Sequence, residues 1–132
     1  MKLRTIEDYE AILIEDTNVP EEDVPRRVKD LASRQQWWKH EFRLRKIRLS
    51  QIKRELSSFV ESREIEESKL GNISKARLEA KIVRSPEYKA RHILLEEEEN
   101  VVGYLEDVGW IMKSHSENLR AYLYYYSNVD PF

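Results

Sequence analysis

Hydrophobic residues recur in this chain at alternating intervals of four and three, the mark of helices that bury one stripe. Trp38, Phe42, Arg45, Leu49, Ile52, Leu56 and Phe59 follow one another in that way. They form a heptad seam with one defect, Arg45. Leu44 and Ile47 lie beside the seam and widen it, and no Gly or Pro interrupts the stretch. The spacing predicts a long helix over about 26–63. A second seam passes through Leu94, Glu98, Val101, Leu105, Val108, Met112, His115, Leu119, Tyr122 and Tyr126. Its helix starts sharply, with Ser85 as N-cap, Pro86 at the first helical position and Glu87 at the positive end of the dipole. Gly103 and Gly109 lie inside it. Each costs about 1 kcal/mol against alanine and permits a close helix contact or a bend. The closing Asn128-Val129-Asp130-Pro131-Phe132 is expected to be non-helical.

The remaining segments are shorter. A helix from Thr5 to about Glu15 puts Ile6, Tyr9, Ile12 and Leu13 on one face, with Thr5 as N-cap. Asn18, Pro20 and Pro25 then break the pattern, so 17–26 reads as a loop. Between 64 and 84, Gly71-Asn72 signals a break. Leu70, Ile73, Ala76, Ala80 and Val83 allow a helix on either side of it. Ile82-Val83 equally suits a short extended piece, because the residue before a proline is pushed away from helix. The expected fold is all-α: two long heptad-patterned helices in an elongated, oligomeric helical bundle, with a short N-terminal helix. A single domain covers 1–132. It comprises an acidic arm (1–25), a basic helix (26–63), a connecting segment (64–84) and a long acidic closing helix (85–126).

Composition fits that outline. A chain of 132 residues supports one core. With 36% charged residues and a mean hydropathy of −0.73, it can bury stripes along helices rather than a thick interior. Aromatics at 10% separate it from a solvated disordered polymer. The absence of cysteine excludes a disulfide framework and thiolate metal sites, and fits a reducing compartment. The first residues lack the apolar core of a signal peptide, and no apolar run approaches membrane-spanning length. A cytoplasmic protein that meets no membrane is expected.

Charge changes the picture more. Arg34 to Arg54 holds eight Lys or Arg against one acid, Glu41, for a net +7, so the rest of the chain carries −9 of the overall −2. The acids gather in the N-terminal arm and after Pro86, including Glu96 to Glu99. Such segregation is a statement about partners, inside the chain or outside it.

Catalytic patterns are missing. His40, His92 and His115 form no H-x-x-x-H or H-E-x-x-H pair, and no phosphate-binding or nucleophile-elbow motif occurs. Three glycines are too few for a phosphate cradle. Four consecutive glutamates point around most of a helix and read as a solvated face. The expectation is a non-enzyme with no metal and no cofactor.

What remains is Trp37-Trp38-Lys39-His40-Glu41-Phe42-Arg43-Leu44-Arg45-Lys46-Ile47-Arg48. Lys and Arg neutralise phosphates and release counterions, and a Trp ring stacks on any base. The candidate nucleic-acid-binding residues are Trp37, Lys39, Arg43, Lys46, Arg48, Lys53 and Arg54. Trp38 and Phe42 sit on the seam and read better as core. Trp37 lies off the seam and is the better stacking residue. The plain alternative is that the basic helix pairs with the acidic closing helix, in which case a buried Arg45 sets register. Tyr122, Tyr124, Tyr125 and Tyr126 read as structural, with Tyr124 and Tyr125 suited to a subunit interface.

The layout also resembles a known family. A basic, heptad-like helix from Trp37 to Arg54 follows an acidic arm. Val83-Arg84-Ser85-Pro86-Glu87-Tyr88 then turns into a closing helix with Leu94-Leu95-Glu96, Val101-Val102-Gly103-Tyr104-Leu105-Glu106 and Ile111-Met112-Lys113-Ser114-His115-Ser116. Over roughly 20–126 this is similar to the UvsY family, the recombination mediators of T4-like phages. The resemblance implies a non-catalytic, ring-forming homo-oligomer that binds single-stranded DNA, displaces the single-strand-binding protein and loads the phage recombinase in the host cytoplasm. Lys53 and Arg54 carry over, by position in the basic helix. The competing expectation is a structural phage scaffold or adaptor. The basic face discriminates: side chains pointing to solvent favour binding, and side chains interlocked with Glu96 to Glu99 and Glu106 favour structure.

Overall fold

Thr5 opens the first helix. Its hydroxyl accepts the Asp8 backbone N–H at 3.2 Å while the Asp8 carboxylate accepts the Thr5 N–H at 2.9 Å, a reciprocal capping box. The computed structural model describes residues 2–71 and 73–129, with side chains as far as Tyr125. Its elements are α1 (Ile6–Thr17), a 3₁₀ turn (Glu21–Asp23), α2 (Val24–Ser68), α3 (Lys75–Arg84) and α4 (Pro86–Val129). The described residues contain no strand, so the all-α expectation holds. No helix among them is long and apolar enough to cross a membrane.

Four boundaries differ from expectation. The segment 17–26, read as a loop, contains the 3₁₀ turn and the first turn of α2, because Pro25 sits where a helix start tolerates its missing N–H. α2 continues past 63 to Ser68. The connecting segment contains a regular helix, α3, with Ser74 as its N-cap and Leu78 and Ile82 buried one turn apart. Burial of that face decides against an extended Ile82-Val83. α4 reaches Val129, so Asn128 and Val129 are helical. Asn72, the Tyr126 side chain and the Asp130-Pro131-Phe132 tip lie outside the described residues. Gly71 takes the positive φ of +152° that the turn after α2 requires. Ser85 serves two helices. Its hydroxyl donates to the Ile82 carbonyl at 2.6 Å, closing α3, and accepts the Tyr88 N–H at 3.2 Å, opening α4. A Cβ on Gly103 or Gly109 would meet nothing within 4 Å, so of the two possibilities, a close helix contact or a bend, the close contact is not made.

The chain divides into two compact units. The first comprises residues 1–43 and 103–132. There the start of α2 runs antiparallel to the end of α4: Val24 and Leu31 pack with Leu119, and Val28, Tyr122 and Leu123 cover them. Leu105, Val108 and Met112 are buried further along α4. The Tyr122 hydroxyl donates to the Glu21 carboxylate. α1 docks through two buried carboxylates. Asp16 accepts Arg34 Nε at 3.0 Å, Arg34 Nη2 at 2.8 Å and Trp38 Nε1 at 2.8 Å. Glu41 accepts Arg4 Nη1 at 2.7 Å and the hydroxyl of buried Tyr9 at 3.2 Å.

His115 belongs to the same unit. Burial holds its imidazole below the ordinary histidine range. A hydrogen bond to the Asp16 backbone and the Asp16 charge oppose the shift, and the Arg27 charge adds to it. The unfolded chain therefore takes up this proton more readily than the folded one. The stability contributed is complete above about pH 6.5 and is lost as the pH falls from there toward the folded value. His115→Gln is expected to flatten the fall in urea midpoint between about pH 7 and pH 5. An unchanged pH dependence would remove His115 as its source.

The second unit comprises residues 44–102. Ile52, Leu78, Ile82 and Val101 form its buried apolar positions. Beside them lies a buried ionic contact: Arg45 Nε and Nη2 donate to the two oxygens of Glu98 at 2.6 and 2.7 Å, with side chains 8% and 5% exposed. The seam defect is therefore a buried, bidentate ion pair. Glu98 also departs from the solvated face expected of the glutamate run, whereas Glu96, Glu97 and Glu99 are exposed. Leu94, assigned to the seam, is exposed. Near the end of α2, Phe59 carries the Arg63 and Arg91 guanidinium groups over its ring at 5.4 and 4.1 Å. Lys81 ties α3 to Glu67 at 2.6 Å.

Candidate nucleic-acid interface

Residues two apart on a helix lie about 200° apart around its axis, whereas residues four or seven apart share a face. That geometry divides the candidate residues. In the first unit Lys39 and Arg43, four apart, are both exposed. Trp37, two residues before Lys39, points elsewhere and is half-buried. Trp38 meets it edge-on at 4.8 Å between ring centroids, Tyr9 stands at 6.4 Å, and the Arg34 and Arg4 guanidinium groups lie over it at 4.9 and 5.3 Å. Trp37 is thus part of the aromatic and cationic cluster that docks α1. Trp38 is core, 3% exposed, as its seam position suggested.

In the second unit Lys46 and Lys53, seven apart, are exposed, and Arg54 beside Lys53 is exposed too. Arg48, two residues after Lys46, turns toward Glu98. Its Nε lies 3.4 Å from Oε1, within ion-pair distance but outside hydrogen-bond geometry. Among the described residues, Lys39, Arg43, Lys53 and Arg54 make no ion pair. Of the acids named as possible partners, Glu98 alone pairs with the basic helix, through Arg45 and Arg48.

Two groups of residues join this picture that the sequence reading missed. In the first unit an open groove of about 500 Å³ is lined by Lys39 and Phe42 from α2 and by Trp110 and Lys113 from α4. Trp110 is 65% exposed. In the second unit Arg63, Arg77, Lys81 and Arg84 line a cavity of about 670 Å³ whose acid, Glu67, is paired with Lys81. Both left signals in the chain. Trp110 stands three residues before Lys113, and Lys75, Arg77, Lys81 and Arg84 face one acid, Glu79.

No described residues gather three metal-ligating side chains. His40 is exposed, and His92 stacks on Tyr88 at 5.8 Å with Glu96 at 3.2 Å. Exposed cations without acids suit a polyanion held through its backbone charge. Comparison with protein-family models, characterised proteins and solved structures gave no match to this chain.

Proposed function

We propose that this chain is a non-catalytic protein that binds single-stranded DNA through exposed cations of α2, Lys39 and Arg43 in the first unit and Lys53 and Arg54 in the second. In this reading it is a recombination mediator like the UvsY family it resembles. Its implied partners are a recombinase to be loaded and a single-strand-binding protein to be displaced. The observation that carries the reading is the solvent exposure of Lys39, Arg43, Lys53 and Arg54 without acidic partners among the described residues. A basic helix serving only to neutralise α4 would have those side chains paired. Such cations neutralise phosphates without reading sequence. The heptad spacing, and the exposed Leu44, Ile47, Tyr124 and Tyr125, support self-association into a homo-oligomer.

A second reading is a structural assembly protein. The Arg45–Glu98 pair and the approach of Arg48 favour it, since they tie part of the basic helix to the acidic one. Titrating the protein into a fluorescent single-stranded oligonucleotide at low salt separates the two. Binding that weakens steeply with added salt is expected, and no binding leaves the structural reading in its place.

A further inference from the structure

A strand held only by phosphates leaves its bases without contacts, and the aromatic proposed for them, Trp37, is occupied by Tyr9, Trp38 and two arginines. The first unit offers another ring. Trp110 is 65% exposed on α4 and borders the groove that Lys39 of α2 also lines. Lys113 holds its Nζ over one face of the Trp110 ring, 5.6 Å from the centroid, so a base would stack on the opposite face of this largely exposed ring. Much of the remaining lining is apolar and includes Phe42 and Met112. Gly109 sits in it with open space where its side chain would be. Glu106 is the one acid in the lining and can accept hydrogen bonds from base N–H groups.

A flat apolar face flanked by cations is complementary to a ligand with a flat ring and anionic ends, which describes a nucleotide within a strand. We infer that this groove is a nucleobase-stacking subsite, with a base against Trp110 and its flanking phosphates on Lys39 and Lys113. The inference rests on the single-stranded DNA reading above and moves its aromatic contact from Trp37 on α2 to Trp110 on α4.

The test compares oligo-dT with an abasic strand of the same length, by fluorescence anisotropy on the full chain. Trp110→Ala is expected to weaken oligo-dT binding by about 5- to 150-fold, the equivalent of one stacked base. Binding of the abasic strand should change little, and Trp110→Phe should restore most of the loss. Gly109→Leu fills the groove and should block the same increment. Its melting temperature should be unchanged or raised, because leucine is the better helix former. Wild-type binding that Trp110→Ala leaves intact, or weakens equally on both strands, overturns the subsite alone. A fall in oligomer size on light scattering for Trp110→Ala assigns the ring to a contact between copies and overturns it too. If the wild type binds neither strand, the subsite and the underlying reading fall together.

Discussion

Replacing Arg45 with methionine is expected to destabilise the protein by about 3–5 kcal/mol. The change strands Glu98, whose side chain is 5% exposed, and removes both of its short hydrogen bonds. Arg48 remains within 3.4 Å but is 41% exposed and badly aligned, so it replaces little of the loss. A domain is stable by only about 5–15 kcal/mol in total, so the urea midpoint should move far. The double variant Arg45→Met/Glu98→Met should recover most of the loss, because a buried ion pair contributes little net stability over apolar groups of similar volume. Urea unfolding at constant m-value checks both statements. A single-variant loss below about 1 kcal/mol would mean that the pair is solvated and behaves like a surface salt bridge.

Asp16→Ala should release α1 from the first unit. Asp16 lies in the last turn of α1, where the helix dipole disfavours a carboxylate. It is held there by Arg34 and by the indole N–H of Trp38. Without it the Trp38 N–H is left unpaired in a site only 3% exposed, a penalty of about 1–3 kcal/mol before the loss of the charge-assisted bonds is added. Arg34 is a third exposed and recovers water, which limits the total to roughly 3 kcal/mol. Near-UV circular dichroism of the packed Tyr9, Trp37 and Trp38 rings should weaken with the midpoint shift. An unchanged aromatic spectrum would show that α1 docks through Glu41 and Tyr9 alone.

The helices were legible where the signal was local. Thr5 with Asp8, and Ser85 with Pro86, announced their helix starts through side chains that satisfy backbone donors a few residues away. Trp38, Ile52, Val101, Leu105, Val108 and Met112 were placed in the interior by spacing alone. The errors have a common physical source, in that partners distant in sequence decide which polar groups are buried. Seam spacing set Glu98 apart from its three neighbours in the glutamate run, but its residue type argued for a solvated face, and only the facing helix supplies the cation, Arg45, that lets it be buried. Asp16 and Glu41 were read simply as charges because nothing near them in sequence indicates Arg34, Trp38, Arg4 or Tyr9 as partners. Trp37 drew attention for lying off the seam, but off the seam is where α1 docks. α3 was ambiguous because ten residues hold too few turns for its period to stand out beside Gly71 and Pro86. At the candidate interface, Lys39, Arg43, Lys46, Lys53 and Arg54 were legible as exposed cations, and the α4 residues across the groove were not.

The central claim is that the exposed cations of α2 hold a single strand by its phosphates. It is tested most directly by the salt dependence of oligo-dT affinity for the wild type and for a variant with Lys39, Arg43, Lys53 and Arg54 all changed to alanine. These side chains are exposed and lie outside the buried ion pairs, so the fold should persist. Each phosphate neutralised contributes about 0.7 to the slope of log affinity against log salt, so the variant should bind more weakly with a slope shallower by roughly 3. Two parallel lines, or no wild-type binding at low salt, would contradict the claim.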